Sequence, residues 1–123
     1  MRAEELLDAL LELTPAVRYA AIHPGSGEPV FRQRIGAPDA SRSESDYWEE
    51  LLVNPTLLDL ARRRGEVDRG GLQYLVIRYD SFVQLVLPFA RGHVSVCFSP
   101  EADLGVVVPA VRQLIEQHAA RMR

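Results

Sequence analysis

The sequence predicts an α+β fold: a five-stranded, mostly antiparallel sheet covered by helices. Three observations point there. Segments of helical period open, divide and close the chain. Five short apolar or alternating runs lie between them. Tight turns join these runs in pairs, which makes sequence neighbours antiparallel partners. The order is α-β-β-α-β-β-β-α. The 123 residues show no repeat, linker or low-complexity stretch, so residues 1–123 are read as one domain.

The first helix is expected over 3–13. Leu6, Leu7, Leu10 and Leu11 share one side, and Glu4 and Glu5 sit near the start, where the helix dipole favours acids. Thr14-Pro15 ends it. "VRYAAIH" (17–23) reads as a strand, "PGSGEP" (24–29) as a turn and "VFRQRI" (30–35) as the returning strand with one wet face. Residues 36–43 form a polar loop.

A helical segment is expected over 44–64. Ser43 and Asp46 resemble a helix-start capping pair. Asn54-Pro55 interrupts the run. Proline inside a helix costs about 3 kcal/mol unless it sits in a first turn. One kinked helix, or two with Asn54 capping the second, fit equally well. Gly65 suits a stop.

Three strands follow: "LQYLVIRY" (72–79), a turn at Asp80-Ser81 into "FVQLVLPF" (82–89), and "ARG" (90–92) turning into "HVSVCFS" (93–99). The last helix is expected over about 101–121. Its stripe is Leu104, Val107, Val108, Val111, Leu114, Ile115 and His118.

Composition narrows the function classes. Hydrophobic residues make up 47% and charged residues 25%, with formal net charge −3. A chain of this length hides about two-thirds of its unfolded surface, enough for a real core. The acidic balance disfavours nucleic acid and anionic membranes as partners. All 14 basic residues are arginine, so no Schiff-base or P-loop lysine exists. The lone cysteine, Cys97, excludes a disulfide framework and fits a cytoplasmic protein. The opening "MRAEELLDALLEL" is too acidic for a signal peptide. No apolar run approaches bilayer length.

The chemical candidates reduce to structural readings. Gly25-Ser26-Gly27 precedes a strand, whereas a nucleophile elbow or a phosphate loop needs a helix after it. It reads as a hairpin turn. His93, Ser95, Cys97 and Ser99 share one strand face. His93 and Cys97 lie roughly 13 Å apart along the strand, too far for a dyad. They read as a semi-polar sheet face under a helix. His23, His93 and His118 have no metal-ligand spacing. The carboxylates lie mostly on helix faces as solvated or ion-paired acids, and no acid pair stands out. No catalytic residue, cofactor or metal is expected.

"LARRRG" (60–65) reads mainly as the basic end of a helix. Arg62, Arg63 and Arg64 fan around the axis at about 100° per residue, so they cannot all grip one phosphate. Asp59 offers local ion pairs to Arg62 and Arg63. A partner-facing basic edge, with Arg69 nearby, is the other reading.

The middle segment carries an apolar surplus. Tyr47, Trp48, Leu51, Leu52, Val53, Leu57, Leu58, Leu60 and Ala61 nearly surround it. A helix greasy on all sides is buried on all sides. One sheet covers one side of it, and a second copy of the chain is the cheapest cover for the other. Strand 72–79 is similarly rich and could pair with its own copy if it lies at the sheet edge.

"LLDALLELTPAVRYAAIHPGSGEPVFR" and "YLVIRYDSFVQLVLPFARGHVSVCFSPEADLGVVVPAVRQL" resemble the roadblock/dynein light chain family, with its longin- or profilin-like fold. The resemblance covers nearly the whole chain. It implies sheet order 2-1-5-4-3, the first and third helices on one face and the middle helix on the other. It also implies a homodimer through the middle helix and third strand, giving a continuous ten-stranded sheet. The interface expected on these grounds comprises Leu51, Leu57, Leu58, Ala61, Leu72, Tyr74 and Val76. Members typically bind or regulate Ras-like small GTPases, and bacterial Mgl-type members act as GTPase-activating proteins. The expected function is a non-enzymatic dimeric regulator or scaffold, with Tyr47, Trp48, Arg62, Arg63, Arg64 and Arg69 as partner contacts. Asn54-Pro55 departs from the family's uninterrupted middle helix. The alternative is a sensory module whose pocket, between sheet and helices, is lined by His23, His93, Cys97 and Tyr79. A catalytic role for Cys97 is a third idea.

Overall fold

The computed structural model describes residues 3–25, 27–34, 48–67 and 70–121. Helix α1 (Ala3–Leu13) leads into strands β1 (Val17–His23) and β2 (Val30–Gln33). A π-helical turn, Glu49–Val53, runs into helix α2 (Asn54–Val67). Strands β3 (Leu75–Arg78), β4 (Val83–Phe89) and β5 (Gly92–Phe98) precede helix α3 (Leu104–Arg121). The strands form one sheet of order β2-β1-β5-β4-β3, antiparallel at each pairing. That is the order the family resemblance implies.

The alternation of β5 explains the layering. Val94, Val96 and Phe98 point to one face, where they meet Leu6, Leu7 and Leu10 of α1 and Val107, Val111 and Ile115 of α3. His93, Ser95 and Cys97 point to the other face. There the π turn and α2 lie over β1, β4 and β5. One face of the sheet is thus an oily core between sheet and two helices. The opposite face is semi-polar and carries the middle helix.

Arg34 ties the first layer together. Its guanidinium donates to the carbonyl oxygens of Leu11 (2.5 Å), Thr14 (3.1 Å) and Val17 (2.7 Å). The Leu11 carbonyl is among those a helix C-terminus leaves without a partner. A cation also suits that pole of the helix. One side chain thereby fixes the end of α1 against β1 and the exit of β2.

Several sequence-based boundaries need correction. Of the two readings of the middle segment the single interrupted helix holds, and it does not restart at Asn54. Asn54 has helical backbone angles, φ −63° and ψ −47°, and its N–H donates to the Glu49 carbonyl five residues back. Its side chain caps nothing and points inward instead. The described run from Trp48 to Val67 is one continuous helix with a wide turn just before Pro55. That turn is the physical answer to the proline: a ring that clashes with an i−4 carbonyl is accommodated where the ladder has already shifted to i−5.

Nor does Gly65 stop the helix, which continues to Val67. Gly65 instead accepts a 2.8 Å hydrogen bond from the Gly70 N–H. A Cβ at Gly65 would overlap the Gly70 carbonyl oxygen, so the returning chain requires glycine there. The third strand spans Leu75–Arg78 rather than 72–79, and Leu72 and Tyr74 precede it. Phe82 closes the β3–β4 turn by accepting from the Tyr79 N–H at 2.9 Å, so β4 begins at Val83. Helix α3 starts at Leu104, later than expected, because Asp103 caps it: its carboxylate accepts from the Gly105 N–H at 3.0 Å. The Ser43–Asp46 capping pair, the 36–43 loop and Ile35 lie outside the described residues.

Candidate functional site

The middle helix is inside out. Positions 50, 54 and 58 form the ridge turned toward the sheet. Glu50 is 1% exposed, Asn54 0% and Leu58 4%. The outer surface carries large apolar side chains among its polar ones: Trp48 is 59% exposed, Leu52 56% and Leu60 60%, with Val53 and Leu57 also exposed. Ordinary amphipathic helices do the reverse.

The inward ridge is explained by what it meets. Glu50 Oε2 faces His93 Nε2 at 2.5 Å. Its Oε1 accepts from Ser95 Oγ, from Asn54 Nδ2 at 3.2 Å and from Tyr19 Oη at 3.4 Å. Gln84 extends the network by donating to Asn54 Oδ1 at 3.4 Å. Four donors on two oxygens is the acceptor-only complement of a carboxylate. With Glu50 accepting, the His93 proton lies on Nε2. Elements β1, β4, β5, the π turn and α2 all contribute to this network. Burying such a carboxylate is tolerable because both of its oxygens accept hydrogen bonds, three at Oε1 and one at Oε2.

At one end of the network the sheet opens into a cleft of about 130 Å³. His23 and His93 are register partners on β1 and β5, and their rings stack with centroids 5.6 Å apart. The His23 Nδ1 accepts from the Gly25 N–H at 3.2 Å, so its Nε2 carries the proton. Helix α2 supplies Pro55, Leu58, Asp59 and Arg62 to the cleft wall, and the β4–β5 turn supplies Arg91.

The sequence-predicted residues fall out as follows. Tyr47 and Arg69 lie outside the described residues. Trp48, Arg62, Arg63 and Arg64 are on the surface of the middle segment. Arg63 pairs with Asp59 at 3.1 Å as an i,i+4 contact, whereas Arg62 turns to the cleft. Leu51, Ala61 and Leu72 are half-buried, and Leu57, Tyr74 and Val76 are exposed. Tyr74 also takes the Arg112 guanidinium over its ring, 5.1 Å from the centroid. Leu58 is a correction: it packs inside the single chain and is no surface contact. Among the described residues strand β3 pairs only with β4, which leaves it at the edge of the sheet with Val76 exposed.

Of the four residues expected to line a sensory pocket, His23 and His93 meet at the cleft, while Cys97 and Tyr79 do not line it. Cys97 is buried against Tyr19 and Ala21. Tyr79 packs on Phe82, ring centroids 4.8 Å apart. Burial first, then Glu49 and Cys97 nearby, hold its phenol above the usual value, so it stays neutral. Among the described residues no group of His, Cys, Asp or Glu could hold a metal ion. None of their helices is long and apolar enough to cross a membrane. Glu50, Tyr19, Gln84 and Arg91 are site residues that sequence reasoning missed.

No protein-family model and no curated protein matches the chain. Solved structures do. A Roadblock/LC7 domain from Streptomyces avermitilis superposes with TM-score 0.76 at 17% identity, covering 99% of this chain and 98% of that one. The gliding protein MglB from Thermus thermophilus gives 0.73 at 18%, covering 93% and 83%. An MglB described in a tetrameric arrangement gives 0.71 at 22%, covering 94% and 84%. The chain has the Roadblock/LC7 fold.

Proposed function

We propose that the protein is a non-enzymatic, cytoplasmic homodimer of the Roadblock type that binds a Ras-like small GTPase and modulates its nucleotide cycle. The observation that carries this reading is the inside-out middle helix. A single chain leaves Leu52, Val53, Leu57 and Leu60 exposed, and among the described residues β3 pairs only with β4. Fully burying a large apolar side chain is worth about 1.5–3 kcal/mol. A second copy laid against this surface covers both the apolar ridge and the strand edge, joining two sheets into one of ten strands. Leu51, Leu57, Ala61, Leu72, Tyr74 and Val76 then lie in or beside the contact. Resemblance to MglB-like folds, one of them tetrameric, supports self-association and a GTPase-linked role.

In this reading Trp48 and Arg62, Arg63 and Arg64 at the end of α2 face the GTPase. Rim arginines steer an acidic partner and set association rate more than affinity. The test is a pull-down from native lysate with the tagged protein, in GTP analogue or in GDP. Enrichment of a small GTPase in one nucleotide state is the expected result. Absence of any GTPase in both states removes the regulator and leaves a dimeric scaffold.

A further inference from the structure

We propose that the cleft at the His23–His93 end of the sheet binds a phosphoryl oxyanion, the terminal phosphate of a small molecule or inorganic phosphate itself. The inference does not depend on the GTPase reading. It starts from the backbone. Gly25 has φ +102°, and a Cβ there would lie 2.7 Å from the Arg91 carbonyl oxygen. A Cβ at Gly92 would overlap the His23 carbonyl oxygen. Two glycines therefore let the β1–β2 and β4–β5 turns touch. That contact sets the His23 ring on His93 and places Arg91 across the cleft from α2.

The groups brought together are overwhelmingly donors. Neither Arg62 nor Arg91 has an ion pair or hydrogen-bond partner among the described residues. Asp59, the one acid among the described residues of the cleft wall, is already paired with Arg63 at 3.1 Å. His23 offers its Nε2–H, because its Nδ1 is occupied by the Gly25 N–H. His93 is 1% exposed yet lines the cleft, and Glu50 behind it pins its orientation at 2.5 Å. Two arginines and two histidines lining one small space suit an oxyanion, since guanidinium forks match phosphate and carboxylate geometry. At about 30 Å³ per water, a volume of about 130 Å³ holds a phosphoryl group. A nucleoside attached to it would lie outside, over the rim.

Sequence alone reads the same stretches as a plain hairpin turn and the basic end of a helix. The fold joins them: Gly25 supplies part of the wall, and Arg62 supplies one charge opposite Arg91 of the β4–β5 turn.

The experiment is an NMR titration of the histidine ring signals with inorganic phosphate, at ionic strength held constant with sodium chloride. The expected result is a saturable shift of His23 and His93. Arg62→Gln and Arg91→Gln should each weaken binding about tenfold or more, the loss of one charge-assisted contact. Arg62→Lys should retain most of it, and Arg78→Gln, at the far edge of the sheet, should leave it unchanged. Both glutamine variants alter exposed, unpaired side chains, so the amide spectrum should report an intact fold. A parallel titration with guanosine monophosphate separates the sources: tighter binding than phosphate assigns a carried phosphoryl group, and equal or weaker binding assigns the free anion. A shift that does not saturate, or the same affinity in wild type and both glutamine variants, overturns the site.

Discussion

Glu50 shows where a single residue escapes sequence reading. "WEELLV" is what a solvated acid on a helix looks like, and nothing local marks it as buried. Its partners stand 31, 43 and 45 residues away, at Tyr19, His93 and Ser95. The receiving side was legible: strand alternation puts His93, Ser95 and Cys97 on one face, and that face does lie under a helix. What could not be read was which helical residue fills it. The consequence is testable. Glu50→Ala leaves four donors around an empty space, so it should cost about 3–5 kcal/mol, as removal of one partner of a buried pair does. Glu50→Gln should cost distinctly less. Its amide oxygen can keep the Ser95, Tyr19 and Asn54 bonds, and its NH₂ can donate to His93 once that ring moves its proton to Nδ1. Urea unfolding of the two variants measures both. Equal losses would mean that the charge, rather than the hydrogen-bond set, holds the site together.

The middle helix is the element where periodicity misleads. Counting apolar residues over 47–61 finds them almost all round, and Leu58 looks as exposed as Leu57. A wide turn at 49–53 adds a residue to one turn, which shifts the phase between what precedes and follows it. The ridge turned inward then becomes 50, 54 and 58, and the outward surface receives Leu52 and Leu60. On the other face of the sheet, α1 and α3 contain no such wide turn among their described residues, and their buried stripes keep the period that the sequence shows. The exit of α2 carries a similar lesson. Glycine at 65 suggests a stop, yet it is a contact. Helix propensity alone says that Gly65→Ala stabilises by about 1 kcal/mol. The approach of the Gly70 carbonyl to the missing Cβ says the opposite. We expect Gly65→Ala to lower stability by about 1–3 kcal/mol, the usual penalty of overpacking. A rise in the thermal midpoint would show that the returning chain simply moves aside.

For the molecule as a whole, order of elements and short turns carry the β1–β2, β3–β4 and β4–β5 pairings, because tight turns join antiparallel neighbours, while the β1–β5 pairing follows only from the family resemblance. They carried no information on surface chemistry. The cleft arises from residues at 23–25, 55–62 and 91–93, which only the closed sheet brings together. The dimer surface rests on a contrast between two leucines of the same helical run. Leu52 is 56% exposed and Leu58 is 4% exposed. Leu52→Glu places a charge where one chain alone has water, so the monomer should fold with unchanged stability at low concentration. In a dimer the same charge is buried without a partner, which associating chains do not tolerate. Leu58→Glu instead forces a charge beneath α2 and should unfold or aggregate the chain whatever its partners. Sedimentation velocity, with circular dichroism on the same samples, distinguishes them. A wild-type dimer, a folded Leu52→Glu monomer and a misfolded Leu58→Glu are expected together. A Leu52→Glu protein that remains dimeric would move the interface off the middle helix and take the ten-stranded sheet with it.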